Sequence, residues 1–342
     1  MLNIKKLVRS NILDLQPYSS ARDEFSGREG VFLDANENPY GEFNRYPDPY
    51  QKELKQKLAV QKGVDIDTIF VGNGSDEVID LAFRVFCDPG MDKALTFTPT
   101  YGMYDVSAAI NNVKLLKIPL NKEFQIDRTT LDHKRDDKSI KLVFICSPNN
   151  PTGNLMNQRD IEFILENFNS IVIIDEAYID FAEGDSLINL IDKYSNLIVC
   201  QTFSKAWGLA AARVGMAYSN SEIISLLNKI KPPYNVSKLN QNLAVQALEN
   251  KALYKAHLKR ILSEKIKLKN ALDKLDVVKK IYPSDANFFL IEVTNAEAVY
   301  AALVAQDIII RKRTKLVPNG LRITVGTAQE NQSLITALKN IS

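Results

Sequence analysis

The stretch TFSKAWGLAAARVG, residues 202–215, places Lys205 directly after the apolar run LIVC, with Ser204 before it and Arg213 behind. An amine at the mouth of a strand can bond covalently to a carbonyl carbon, and a serine and an arginine beside it can hold an anion. Two other apolar runs end in the same manner: LVFIC leads into Asn149, Asn150, Pro151, Thr152 and Gly153, and IVII into Asp175, Glu176, Ala177 and Tyr178. Ligands of open parallel sheets bind beyond the carboxyl ends of the strands. One crevice is therefore expected to gather an amide, a carboxylate, a phenol and an amine.

Singly, each residue has a plainer reading: Asp175 as a helix cap, Asn150 as a turn former before proline, Lys205 as one lysine among many. Together they meet the demands of pyridoxal 5'-phosphate, which needs a lysine at its aldehyde and a carboxylate that keeps its ring nitrogen protonated. Lys205 and Asp175 suit those two places, and Asn150 and Tyr178 can donate to the phenolic oxygen. For the phosphate, GNGSDEVIDLAF puts Gly74, Ser75 and Asp76 at the start of a helix, where backbone amides attract anions; Ser204 and Arg213 add donors. Tyr101, after LTFTPT, reads either as a ring stacked on the pyridine or as a core aromatic. Rival motifs fail: Glu77 occupies the third glycine position of the dinucleotide fingerprint, and neither GxxxxGK[ST] nor GxSxG occurs.

The elements that must position these groups are legible as a repeat of apolar run, polar turn and helical period from about residue 68. IFVG is followed by a helical stripe of Val78, Ile79, Leu81, Ala82, Val85 and Phe86, and KALTFT begins the next unit. LVFIC, IVII and LIVC are apolar on both faces, as strands of a buried parallel sheet are. The pattern predicts an α/β fold with a mostly parallel central sheet flanked by helices, plus a smaller α+β domain. Beyond KPPYN, long helical periods over residues 237–275 precede strand-like NFFLIEV, DIIIRK and LRITVG. The expected division is an extended N-terminal arm (1–30), a large domain (31–236) and a small C-terminal domain (237–342).

Composition narrows the partners. The 43 Lys and Arg nearly cancel the 41 Asp and Glu, so no basic field gathers nucleic acid, and the Lys and Arg of the long helix read as a solvated face. No apolar run has the length of a membrane span, and the first residues lack the apolar core of a signal peptide. The three cysteines and two histidines show no metal-binding spacing, which predicts reduced core thiols, no metal and a cytoplasmic location.

PNNPTG, DEAYIDF and TFSKAWGLAAARVG resemble the asparagine, aspartate–tyrosine and lysine segments of the fold-type I pyridoxal-phosphate-dependent aminotransferases. QPYSSAR, LDANENPYG, NRYPDP, GNGSDE, TPTYGMY and LRITVGT are similar to the branch of that family that acts on histidinol phosphate. The resemblance implies transamination of L-histidinol phosphate with 2-oxoglutarate or glutamate as partner. It also implies a homodimer in which Tyr46 of one chain reaches the cofactor phosphate of the other, with Tyr18, Asn36, Arg311 and Arg322 at the substrate. Transamination of aromatic amino acids and decarboxylation of a phosphorylated amino acid are alternatives on the same cofactor, and a regulator without turnover is a third. Ala211 and Asp34 depart from the glycine and asparagine common in relatives, which touches substrate preference rather than the chemistry.

Overall fold

The computed structural model describes residues 3–18 and 30–341 of the 342-residue chain. Seven strands form the central sheet: β1 (Ile69–Gly72), β2 (Lys93–Thr98), β3 (Lys114–Pro119), β4 (Ile140–Cys146), β5 (Ile171–Asp175), β6 (Leu197–Thr202) and β7 (Gly215–Tyr218). Their order is β1-β7-β6-β5-β4-β2-β3, and β7 alone runs against its neighbours. Alternation along the strands loads both faces: Val143, Ile145, Val172, Ile174 and Val199 enter one core, while Leu142, Phe144, Ile171, Ile173 and Ile198 enter the other. Helices cover both faces, which explains why these runs are apolar without a polar side.

The amino-terminal residues differ from the expected extended arm. A 3-10 turn (Ile4–Lys6) and the single turn α1 (Ser10–Leu13) bury Ile4, Leu7, Val8 and Ile12 in the same core as Val78 and Phe83. The Arg9 amide donates to the Val85 carbonyl, so the segment is tied down by backbone as well as by packing.

The second sheet is antiparallel, in the order β10-β11-β9-β8, from β8 (Val278–Ile281), β9 (Phe288–Val293), β10 (Arg311–Lys312) and β11 (Gly320–Thr324). The DIIIRK run contributes only its last two residues to the ladder. Asp307 takes a left-handed φ of 58°, and Ile308 donates to Leu303 as a helix-closing contact, so the isoleucines serve a turn instead. The long helical period is two helices, Lys238–Glu249 and Lys251–Leu272, divided at Asn250, whose side chain caps the second by accepting from Leu253. Tyr178, Phe181 and Ala206 from the central sheet's loops pack with Ala286 and with Phe288, the first residue of β9, which sets the second sheet over the carboxyl ends of β4, β5 and β6. No helix among the described residues is long and apolar enough to cross a membrane.

Candidate active site

Strands β4, β5 and β6 end side by side, with Cys146 paired to Asp175 and Asp175 to Cys200. Their loops open on a cavity of about 360 Å³ lined by Ser75, Tyr101, Asn150, Asp175, Tyr178, Ser204, Lys205 and Arg213, and by arginines of β10, β11 and the loop between them. Asp175 is the last residue of β5 and is buried. It accepts from the Tyr104 hydroxyl at 2.9 Å and from the Ala177 amide at 3.2 Å. Burial pushes its carboxyl up from the ordinary value, and those two donors hold it back toward the ionised form.

Lys205 follows β6 in a turn and is exposed toward the cleft, with its ammonium 5.6 Å from the centre of the Tyr178 ring. Withdrawal from bulk water lowers its pKa first, and the Arg322 guanidinium lowers it further, against the pull of Asp175 and Asp76. Tyr178 is buried edge-on against Phe288, and its hydroxyl accepts from Asn150 at 3.4 Å. The other end of the Asn150 amide accepts from Arg322 at 2.6 Å, linking residues far apart in the chain. Burial raises the Tyr178 phenol, so it remains a hydrogen-bond donor at neutral pH.

The anion end of the cleft forms where the helix Ser75–Phe86 begins. Gly74 has a φ of 80°, and a Cβ there would lie 2.6 Å from the Arg213 guanidinium. Gly74 does not line the cavity, and its own amide turns back to the Gly72 carbonyl. It makes room for the arginine, and Ser75 and Asp76, the first two residues of the helix, line the cavity. Gly215 of β7 is closer still: a Cβ would lie 2.2 Å from the Ser75 nitrogen. Arg213 reaches the Ser204 hydroxyl and the Asp76 carboxylate, each at 3.4 Å. Asp76 also accepts from the Tyr101 hydroxyl at 3.2 Å, and the Tyr101 ring stands perpendicular to Tyr104.

At the opposite end, Arg311 of β10 lies directly across from Arg322 of β11, and both line the cavity. Lys312 points the other way and pairs with Glu297. Tyr104 was given no role from sequence, and the sequence left open whether Arg311 or Arg313 turns inward. Tyr104 follows Tyr101 by three residues in TPTYGMY, in the first turn of the helix Met103–Ile110, and the two rings meet edge to face; Arg313 stands two after Arg311, immediately beyond β10.

Three expected residues lie elsewhere in this chain. Tyr46 stacks on Tyr234 with ring centres 4.4 Å apart, in a separate cavity that it shares with Asn36. Tyr18 is 70% exposed beside Arg9 and Arg84. The remainder of QPYSSAR, residues 19–22, falls outside the described residues.

The family described as aminotransferase class I and II matches residues 29–338. The chain belongs to this family. It is 49% identical to the histidinol-phosphate aminotransferase of Parabacteroides distasonis, over 100% of this chain and 99% of that one. It is 51% identical to that of Christiangramia forsetii, covering 99% of this chain and 98% of the relative. Among solved structures, the histidinol-phosphate aminotransferase from Clostridium acetobutylicum superposes with a TM-score of 0.80 at 26% identity, over 87% of this chain and 91% of that one. The central sheet with one antiparallel strand and the cleft at its carboxyl edge are thus the framework of a class I and II aminotransferase.

Proposed function

We propose that the cleft binds pyridoxal 5'-phosphate and carries out transamination between L-histidinol phosphate and 2-oxoglutarate, yielding imidazole acetol phosphate and glutamate. The observation that carries this reading is that a buried carboxylate, Asp175, and a solvent-reaching amine of lowered pKa, Lys205, open on one cavity from adjacent strands. The donor set suits the group: a helix start with Ser204 and Arg213 for its phosphate, and Asn150 with Tyr178 for its phenolic oxygen.

Bound pyridoxal phosphate supplies an aldehyde that condenses with amines and a protonated ring that holds the electron pair left on the substrate carbon. Asp175, whose carboxylate accepts from Tyr104 and from the Ala177 amide, would hold the proton on the ring nitrogen. Lys205 would hold the cofactor aldehyde and, once freed, would act as general base, taking the proton from the carbon that bears the substrate amine. Its lowered pKa leaves more of it neutral at a given pH, which that step requires. Arg322 receives the substrate phosphate or the carboxylate of glutamate, and Arg311 stands beside it.

The same reading divides the chain into an arm (1–30), a large domain (31–236) and a small domain (237–342). It places the protein in the cytoplasm as a homodimer, with Tyr46 reaching the cofactor phosphate in the partner's cleft and Tyr18 and Asn36 acting at the substrate. The exposed Val31, Leu33, Tyr40 and Phe43 near Tyr46 supply apolar surface for a partner to cover. Two measurements test the function. Glutamate added to the loaded protein should bleach the visible absorbance of the lysine-bound cofactor, and histidinol phosphate should exceed phenylalanine in kcat/KM. An inert spectrum would point to a decarboxylase or a regulator, and a preference for phenylalanine to an aromatic transaminase.

A further inference from the structure

Three guanidiniums face one end of the cavity. Arg311 and Arg322 are paired across β10 and β11, and Arg313, whose amide donates to the Gly320 carbonyl, continues the same face two residues on. Among the described residues, the only acidic ones lining the cavity are Asp76, which pairs with Arg213 at the other end, and Asp175, which takes Tyr104. Arg322 is partly satisfied by Asn150, yet the Nε atoms of both Arg313 and Arg322 are buried without a hydrogen-bond partner among the described residues. A buried, unpaired donor on a cation is costly, and an anion removes that cost.

We propose that Arg313 is a specificity-determining residue that selects a dianionic phosphate monoester over a carboxylate at this end of the cleft. The inference rests on the transaminase reading given above. The two amino donors of that reaction present different anions to one site. A carboxylate on the reacting carbon is adjacent to it, whereas a phosphate carried on a CH2–O arm lies two bonds further out and offers three terminal oxygens. Arg322 is tied through Asn150 to Tyr178, over whose ring the Lys205 amine stands, whereas Arg313 follows Arg311 beyond β10 and keeps its Nε without a partner among the described residues. Arg322 therefore serves the near anion of either substrate, and Arg313 serves the outer oxygens that only the phosphate has.

The test compares wild type, Arg313→Gln and Arg313→Lys as loaded enzymes. Arg313→Gln should raise KM for histidinol phosphate about tenfold or more, the loss expected for one charged hydrogen bond, with glutamate KM moved less than about threefold and kcat kept for both. Arg313→Lys should recover part of the loss. Between pH 7 and pH 5 the phosphate dianion takes up one proton near pH 6 and becomes a monoanion, so wild-type KM should rise; that rise should shrink in Arg313→Gln. Inorganic phosphate, as a competitive inhibitor of the glutamate half-reaction, should weaken in parallel, a readout that does not require turnover of histidinol phosphate. An equal KM change for both donors, or unchanged phosphate inhibition, overturns the role of Arg313. Absence of histidinol phosphate turnover in wild type overturns the substrate reading instead, and the inhibition constants still decide Arg313.

Discussion

At the residue scale, the site depends on keeping one buried carboxylate ionised. Desolvation raises Asp175, and Tyr104 opposes it through a 2.9 Å bond to the charged form. In Tyr104→Phe that opposition is gone, so the Asp175 pKa rises further and the acid limb of the kcat profile should move to higher pH. A hydrogen bond to a charged group is worth about 1.5–3 kcal/mol, which corresponds to a displacement of that limb by about one to two pH units. A profile superimposable on wild type would show that Tyr104 only packs. Asp175→Asn should retain cofactor yet slow proton abstraction strongly, and Lys205→Ala should abolish turnover; steady-state rates and cofactor absorbance read both. Lys205, Asp175, Asn150 and Tyr178 were legible because each ends an apolar run. Tyr104 and Arg313 were not, because their roles depend on which face of a helix or strand turns toward the cleft.

At the element scale, the phosphate end is assembled by close backbone approach. β7 lies between β1 and β6, and its Gly215 sits opposite Gly72 on one side and Thr202 on the other. A methyl group at Gly215 would meet the Ser75 nitrogen and the Gly74 carbon, which are backbone and cannot swing aside. Gly215→Ala should therefore displace the start of the Ser75–Phe86 helix, with a stability loss of about 1–3 kcal/mol and weaker retention of pyridoxal phosphate. Denaturant unfolding and cofactor release on dialysis measure the two effects; unchanged retention would contradict the role given to this contact. The central strands β4, β5 and β6 were readable from their two-sided apolar character. β3 and β8 were not, since KLLKIP and VKKI expose their lysines, and GMAY of β7 carries no β-branched residue.

At the scale of the whole molecule, the cleft is closed by parts distant in sequence: Phe288 packs on Tyr178, and Arg322 bonds Asn150. Sequence periodicity gave both sheets but not their apposition, because the contacts between them are set by single side chains rather than by a repeat. Tyr46 stands outside its own chain's cavity, stacked on Tyr234. If it serves a partner's cleft, mixing inactive Lys205→Ala with impaired Tyr46→Ala should restore activity through mixed dimers, each with one intact site. Failure to complement, with mixed dimers verified by sedimentation, would place Tyr46 outside the chemistry.

The central claim is that the amine beyond β6 bonds the same cofactor whose ring nitrogen faces Asp175. Borohydride reduction of the pyridoxal-phosphate-loaded protein, followed by peptide mass mapping, tests it most directly. The pyridoxyl group should be found on Lys205, and stoichiometric labelling of any other lysine, or of none, would contradict the account.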